Sequence, residues 1–371
     1  MDLSQTYSPF RSVLLREWRR MTSRRLYFGV CIVLPLFTLF FMATIFGNGQ
    51  MENIPIGIID QDNTATSRAI TRNISAVPTF KVVKHYVNEA AAREAVQKKE
   101  IYGYLSIPPR FEQNAITGKN ATLSYYYHYA LLSVGGELMA AFETSLAPVS
   151  LSPIIMEAVS LGADQQQITT FLLPVQANNH PIYNPSLDYS VYLSQPFFFV
   201  LFQVLILLTT VYTVGIEIKF RTATDWLATA KGNMITAVLG KLLPYTFIYI
   251  LIGWLGNYVM FGILHIPFQG SWWLINMITV LFVIATQALG LFIFSLFPAV
   301  SLVISVVSMV GSLGATLSGV TFPVSNMYPL VRDVSYLFPV RHFTEMIQTM
   351  LYGGGGFIYL WPSMVILCIF P

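Results

Sequence analysis

Between Lys241 and Arg332 the chain runs for ninety residues without an Asp, Glu, Lys or Arg, and this gap constrains the fold more than any motif does. A charge held at the centre of a bilayer costs about 2.5–3.5 kcal/mol on insertion scales, whereas soluble domains carry roughly one charged residue in four. With 54% hydrophobic and 11% charged residues overall, the main solvent of this chain is lipid. Crossing roughly 30 Å of hydrocarbon takes about 20 apolar residues. The apolar runs therefore predict six transmembrane helices, at 26–46, 189–216, 237–264, 272–297, 299–320 and 357–371. The last reaches only about 22 Å as a helix, so either the chain is expected to continue past Pro371 or residues 353–356 contribute.

The signs of the charges give an orientation. Arg11, Arg16, Arg19, Arg20, Arg24 and Arg25 precede the first run against only Asp2 and Glu17, the normal cytoplasmic signature beside a span. An apolar run following at once argues against nucleic acid as the partner of this arginine cluster. The same run ends without a small-residue cleavage site, so it reads as a retained anchor and not a signal peptide. With segment 1–25 inside as an amphipathic N-terminal helix, 47–188 falls outside, 217–236 inside and 321–356 outside. The loop 217–236, with neighbouring Lys241, carries Lys219, Arg221 and Lys231 against Glu217 and Asp225, which agrees with that orientation.

Residues 47–188 are enough to bury a core of their own. Strand patterns at 54–59, 80–87, 101–107 and 121–128 alternate with helical ones at 66–76, 89–99 and 111–117. The fold class expected is a polytopic α-helical membrane protein with an α/β extracytoplasmic domain inserted after the first span. Residues 132–174 read as a helical stalk broken at Pro148 and Pro153.

Chemistry is sparse. No GxxxxGK[ST] phosphate loop occurs, and the glycines at 353–356 lack the following Lys-Ser/Thr. His85, His128, His180, His265 and His342 are scattered, Cys31 and Cys368 lie in apolar runs, and neither metal-ligand spacing nor an acid/base pair emerges. Asp60-Gln61-Asp62-Asn63 lacks the loop glycine and terminal Glu of a calcium site and reads as a turn or helix cap. The inner loop is more informative: in Glu217-Ile-Lys-Phe-Arg-Thr-Ala-Thr-Asp-Trp-Leu, Trp226 and Leu227 form an apolar anchor in a polar rim, the composition of a helix that docks on a partner or lies on lipid.

Four stretches, in order, resemble the permeases of type-2 ABC exporters with a large extracytoplasmic domain between the first two spans. They are Arg16-Glu17-Trp18 running into the span with Pro35; Ile59-Asp60-Gln61-Asp62-Asn63 with Ser67-Arg68 and Ile107-Pro108-Pro109-Arg110-Phe111; the inner loop followed by Gly240-Lys241-Leu242-Leu243-Pro244; and Phe322-Pro323-Val324-Ser325 with Leu337-Phe338-Pro339-Val340-Arg341-His342-Phe343. One position departs: a glycine commonly precedes the loop threonine in this family, and here Arg221 stands there.

The resemblance implies a bacterial inner-membrane exporter subunit with a cytoplasmic N-terminus, paired with a second permease. It binds no cofactor itself, and ATP and Mg act through separate cytoplasmic ATPase subunits. Arg16, Glu17, Glu217, Lys219, Arg221, Thr222, Asp225, Trp226 and Leu227 inherit the ATPase-coupling role. Segment 321–356 corresponds to outer amphipathic helices, and a periplasmic adaptor is a further implied partner. Neutral polar residues on the spans, Gln203, Thr209, Thr210, Gln287, Ser308, Ser312 and Thr316, are the substrate-path candidates. Their competing role is to bond backbone or neighbouring helices. Amphiphilic, lipid-like or drug-like cargo suits so apolar a path. The rival reading is a membrane-anchored sensor or scaffold whose outer domain binds a ligand, against which the closely spaced C-terminal spans argue. An intramembrane enzyme would need a polar catalytic pair at depth, and 242–331 offers no charged one.

Overall fold

The computed structural model describes residues 8–47, 49, 51–117, 119, 121–131, 133–146, 184, 188–353 and 356–371. The chain forms two compact units, one of residues 1–49 and 182–371, the other of residues 50–181.

The first unit opens with helix α1, Pro9–Ser23. Ser8 caps it by accepting from the Arg11 N–H, and Pro9 occupies the first turn, where its missing N–H costs nothing. The extended backbone of Arg24 ends it. Helix α2, Arg25–Ile45, follows at once. Its π-helical turn Gly29–Val33 lies just before Pro35, a wider turn that accommodates the missing donor inside a span.

In the second unit, strands β1 (Ile54–Asp60), β2 (Phe80–His85), β3 (Gly103–Ile107) and β4 (Ser124–Tyr127) form one sheet in the order β2-β1-β3-β4. β1 is parallel to both β2 and β3, and β4 is antiparallel to β3. Helices α3 (Ala65–Ser75), α4 (Glu89–Gln97) and α5 (Phe111–Ile116) connect the strands, and residues 133–146 form α6. Ile56, Ile58, Ile70, Ile74, Phe80 and Phe142 build one core, while Ile59, Ala92, Ala95 and Tyr104 build a second. Successive residues of β1 thus enter different cores, as the two-residue period of a strand requires. The Asp60–Asn63 turn is a set of caps. Asp60 accepts from the N–H groups of Asp62 and Asn63 and from the Ser67 hydroxyl, and Asp62 accepts from those of Phe111 and Glu112. Most of the expected stalk, from 147 to 174, lies outside the described residues.

The chain returns through α7 (Ser190–Lys219), the short α8 (Ala223–Thr229), α9 (Met234–Ile263), α10 (Trp272–Leu296) and α11 (Val300–Leu317). Helices α12 (Pro329–Ser335), α13 (Pro339–Gly353) and α14 (Phe357–Ile369) follow. Five helices, α2, α7, α9, α10 and α11, are long and apolar enough to cross a membrane. The sixth expected span corresponds to α14, a shorter apolar helix of 13 residues, or about 20 Å of helix. Helix α7 is the most buried of the five. Its Phe198, Phe199, Phe202, Ile206 and Leu207 are fully enclosed, whereas α2 turns Phe37, Phe40, Phe41 and Ile45 outward.

Candidate coupling site

Val13, Glu17 and Met21, spaced four apart, form the buried stripe of α1. Two of the three are apolar, so the face packs, but the middle position buries a carboxylate at 1% exposure. A charge so placed must be paired. Its close partners come from one span, α9. Lys241, fully buried in α9, donates from Nζ to Glu17 Oε2 at 2.7 Å and to Glu217 Oε1 at 2.8 Å, and the Tyr245 hydroxyl donates to Glu17 Oε1 at 2.7 Å.

Glu217, in the last turn of α7, is equally buried and fully bonded. Arg20 and Lys241 donate to Oε1; Arg16, at 3.1 Å, and the Thr222 hydroxyl donate to Oε2. Four donors fill the lone-pair sites of one carboxylate. Burial opposes the charge on Arg20, and the carboxylates of Glu217 and Glu17 outweigh it, holding the guanidinium above its ordinary pKa. Two carboxylates face three cations, and the excess charge falls on Arg16 and Arg20, whose side chains keep 28% and 15% exposure. Close packing admits the cluster: a Cβ on Gly240 would lie 3.0 Å from Val13, so glycine lets α1 approach α9.

The loop after Glu217 is set by a left-handed residue. Arg221 has φ +56°, the conformation that glycine adopts without strain. The turn brings Thr222 back onto Glu217, and α8 follows. Trp226 packs with Val13, Val214 and Ala237, its indole N–H donates to the Ala237 carbonyl at 3.2 Å, and its ring centroid lies 5.2 Å from Lys241 Nζ. At 4% exposure it is an internal pillar, which corrects the expectation of an outward anchor: the indole is consumed by the loop's own packing. Leu227 is half-buried, while Lys219, Phe220, Arg221 and Asp225 are exposed.

Arg16, Glu17, Glu217 and Thr222 of this cluster are among the residues that the sequence singles out for contact with an ATPase, and Arg20, Lys241 and Tyr245 are not. Lys241 did carry a signal, because an ionisable residue at the edge of a charge-free run demands a buried partner.

The polar residues proposed for a substrate path divide into two groups. Gln203, Thr209, Thr210 and Gln287 are buried, and each is engaged inside the bundle. Thr209 bonds the Tyr249 hydroxyl at 2.6 Å, Thr210 donates to the Ile206 carbonyl, Gln287 Oε1 accepts from Thr246 at 2.7 Å, and Gln203 Oε1 accepts from the Val340 N–H at 2.9 Å. Ser308, Ser312 and Thr316 are exposed on one face of α11, together with Ser301 and Ser305. No cluster of His, Cys, Asp and Glu able to hold a metal occurs among the described residues.

The profile of the ABC-2 family transporter proteins matches residues 25–371. Among curated proteins, the inner membrane transport permease YhhJ of Escherichia coli K12 is 30% identical over 109 residues, 29% of this chain and 28% of that protein. The probable multidrug ABC transporter permease YbhS of the same strain is 30% identical over 121 residues, 32% of this chain and 31% of that protein. The matches thus span under a third of the length of each relative.

Proposed function

The chain belongs to the ABC-2 transporter family, and from that membership we propose that it is the permease subunit of an ATP-driven exporter. It moves an amphiphilic, lipid-like or drug-like substrate out of the cytoplasm or the inner leaflet, and separate ATPase subunits supply ATP and Mg. Orientation follows the arginine-rich arm, with the N-terminus cytoplasmic in a bacterial inner membrane and 47–188 extracytoplasmic.

The observation that carries the reading is the buried cluster of Glu17, Glu217 and Lys241. It fastens α1 and the 217–236 loop to the ends of α7 and α9, so a force applied to the loop reaches two spans together. The face offered to the ATPase is the exposed set Lys219, Phe220, Arg221 and Asp225, with Leu227 at its edge. Trp226, Thr222, Arg16 and Glu17 act behind it by holding its shape.

A second permease packs against α11, where Ser301, Ser305, Ser308, Ser312 and Thr316 form an exposed hydroxyl stripe on an otherwise apolar helix. The substrate passes between the two copies along that stripe. A periplasmic adaptor engages the 47–188 domain.

Copurification tests the reading. Phe220→Ser with Asp225→Lys removes exposed contacts and leaves the cluster intact. The expected result is an ATPase subunit retained by the wild type and lost from the variant, with unchanged thermal stability of the permease. Equal retention by both would remove this face as the coupling surface.

A further inference from the structure

Gln203 is fully buried in the middle of α7, and among the described residues its side chain makes one hydrogen bond, which leaves the long spans for the start of α13. Pro339 begins α13, so the Val340 N–H is one of the orphan donors of a helix start. Gln203 Oε1 accepts it at 2.9 Å, across 137 positions of sequence. A cap of this kind is ordinarily supplied by the residue just before the helix. Here a membrane span supplies it.

The surroundings make the contact specific. A Cβ on Gly314 of α11 would come within 2.8 Å of Gln203 Nε2 and 3.2 Å of Phe338, so glycine leaves the room that the amide occupies. One turn along each helix, the Phe199 and Phe343 rings pack with centroids 4.2 Å apart. The same α7 carries Glu217 fourteen residues on, about 21 Å away along an uninterrupted α-helix with no proline between them. One rigid rod therefore ends in the ion cluster and holds, halfway up, the first turn of α13.

We infer that Gln203 is the positioning residue through which displacement of α7 reaches α13, so that closure at the cytoplasmic loop moves an outer helix without either end touching cargo. This rests on the coupling reading above and names the link that it needs. The Gln203 side chain is thereby reassigned from the substrate path to the transmission of motion.

Hydrogen exchange measured by mass spectrometry on the full complex tests it, following peptides that cover 336–350 in the nucleotide-free state and after trapping with ATP and vanadate. In the wild type, trapping should change exchange in α13 severalfold. Gln203→Met keeps length and volume but removes the acceptor. It should raise exchange at the Val340 amide roughly tenfold in the nucleotide-free state, as loss of a buried hydrogen bond does, and abolish the trapping-dependent difference. Gly314→Ala, which displaces the amide, should act in the same direction. A purely structural role would raise exchange equally in both states and leave the difference in place. If the chain retains no ATPase, the coupling reading falls and takes this inference with it. If the ATPase is retained but wild-type α13 does not respond, or responds identically in Gln203→Met, the inference alone is overturned.

Discussion

Replacing Lys241 by Met tests whether the buried cluster is one interacting unit. Lys241 Nζ lies 2.7 Å from Glu17 Oε2, whereas Arg20 stands 4.0 Å away, and the Tyr245 hydroxyl donates to Glu17 Oε1. Glu217, by contrast, keeps Arg16, Arg20 and Thr222 when Lys241 is lost. The uncompensated charge therefore falls on Glu17, and stranding a buried charge costs about 3–5 kcal/mol. At two to four degrees per kcal/mol, the apparent Tm in detergent should fall by roughly 6–20 °C. Adding Glu17→Gln removes the stranded charge, so the double variant should be more stable than Lys241→Met alone. A cycle with Glu17→Gln should give a coupling energy of at least about 2 kcal/mol. A Lys241→Met protein within two degrees of the wild type, or strictly additive single effects, would refute the reasoning.

Arg221→Gly should raise the apparent Tm, because relief of a left-handed arginine is worth about 1–2 kcal/mol before the greater freedom of unfolded glycine takes part of it back; Arg221→Val should lower it. The His342 Nδ1 is buried without a partner, Nε2 donates to the Tyr336 carbonyl, and burial depresses its pKa against the opposing pull of that carbonyl. The unfolded imidazole takes its proton near pH 6.5 and the folded one only below that. Stability contributed by this site is thus present above about pH 6.5 and lost as pH falls through that value. Thermal melts from pH 7.5 to 5 should show the loss, and His342→Gln should flatten it. Gly240→Leu should drive α1 off α9, read as trypsin cleavage within the arginine-rich arm at protease levels that spare the wild type.

How much of this was legible in the sequence depended on period and on sign. The alternation around Ile54 and the turn at Asp60 placed β1 to within a residue, since a strand with both faces covered is apolar throughout and its end is marked by capping carboxylates. Trp272 opens α10 where the apolar run begins. Composition could not say which way Trp226 points: an amphipathic loop of seven helical residues is compatible with either face inward, and only the Ala237 carbonyl and the Lys241 ammonium decide it. The polar residues of the spans could not be sorted from composition for a related reason. Thr209 and Gln287 look alike whether they face cargo or a neighbouring helix, and in lipid the unbonded alternative is the costlier one. For Lys241, the isolation of the charge was visible, but a partner 224 residues upstream lay beyond any local pattern.

The energetics of the cluster say what it is for. Stability alone is a weak reason to bury two carboxylates and a lysine, because well-packed apolar replacements of such groups are often neutral or stabilising by about 1–4 kcal/mol. Apolar contacts, however, tolerate sliding. Glu217 accepts from residues on α1, on α9 and in the loop, and Glu17 returns the link from α1 to Lys241 and Tyr245 on α9. Any rotation of α1 about its own axis, or shift of the loop along α7, breaks at least one charge-assisted bond in a site that water barely reaches. The arrangement therefore fixes the mutual orientation of α1, α7, α8 and α9, and these pieces respond to a load as one body. Apolar substitution of Glu17, Glu217 and Lys241 together should accordingly leave the protein folded while allowing α1 to turn, a separation of stability from orientation that a spin-label distance between α1 and α9 would register as a broadened distribution.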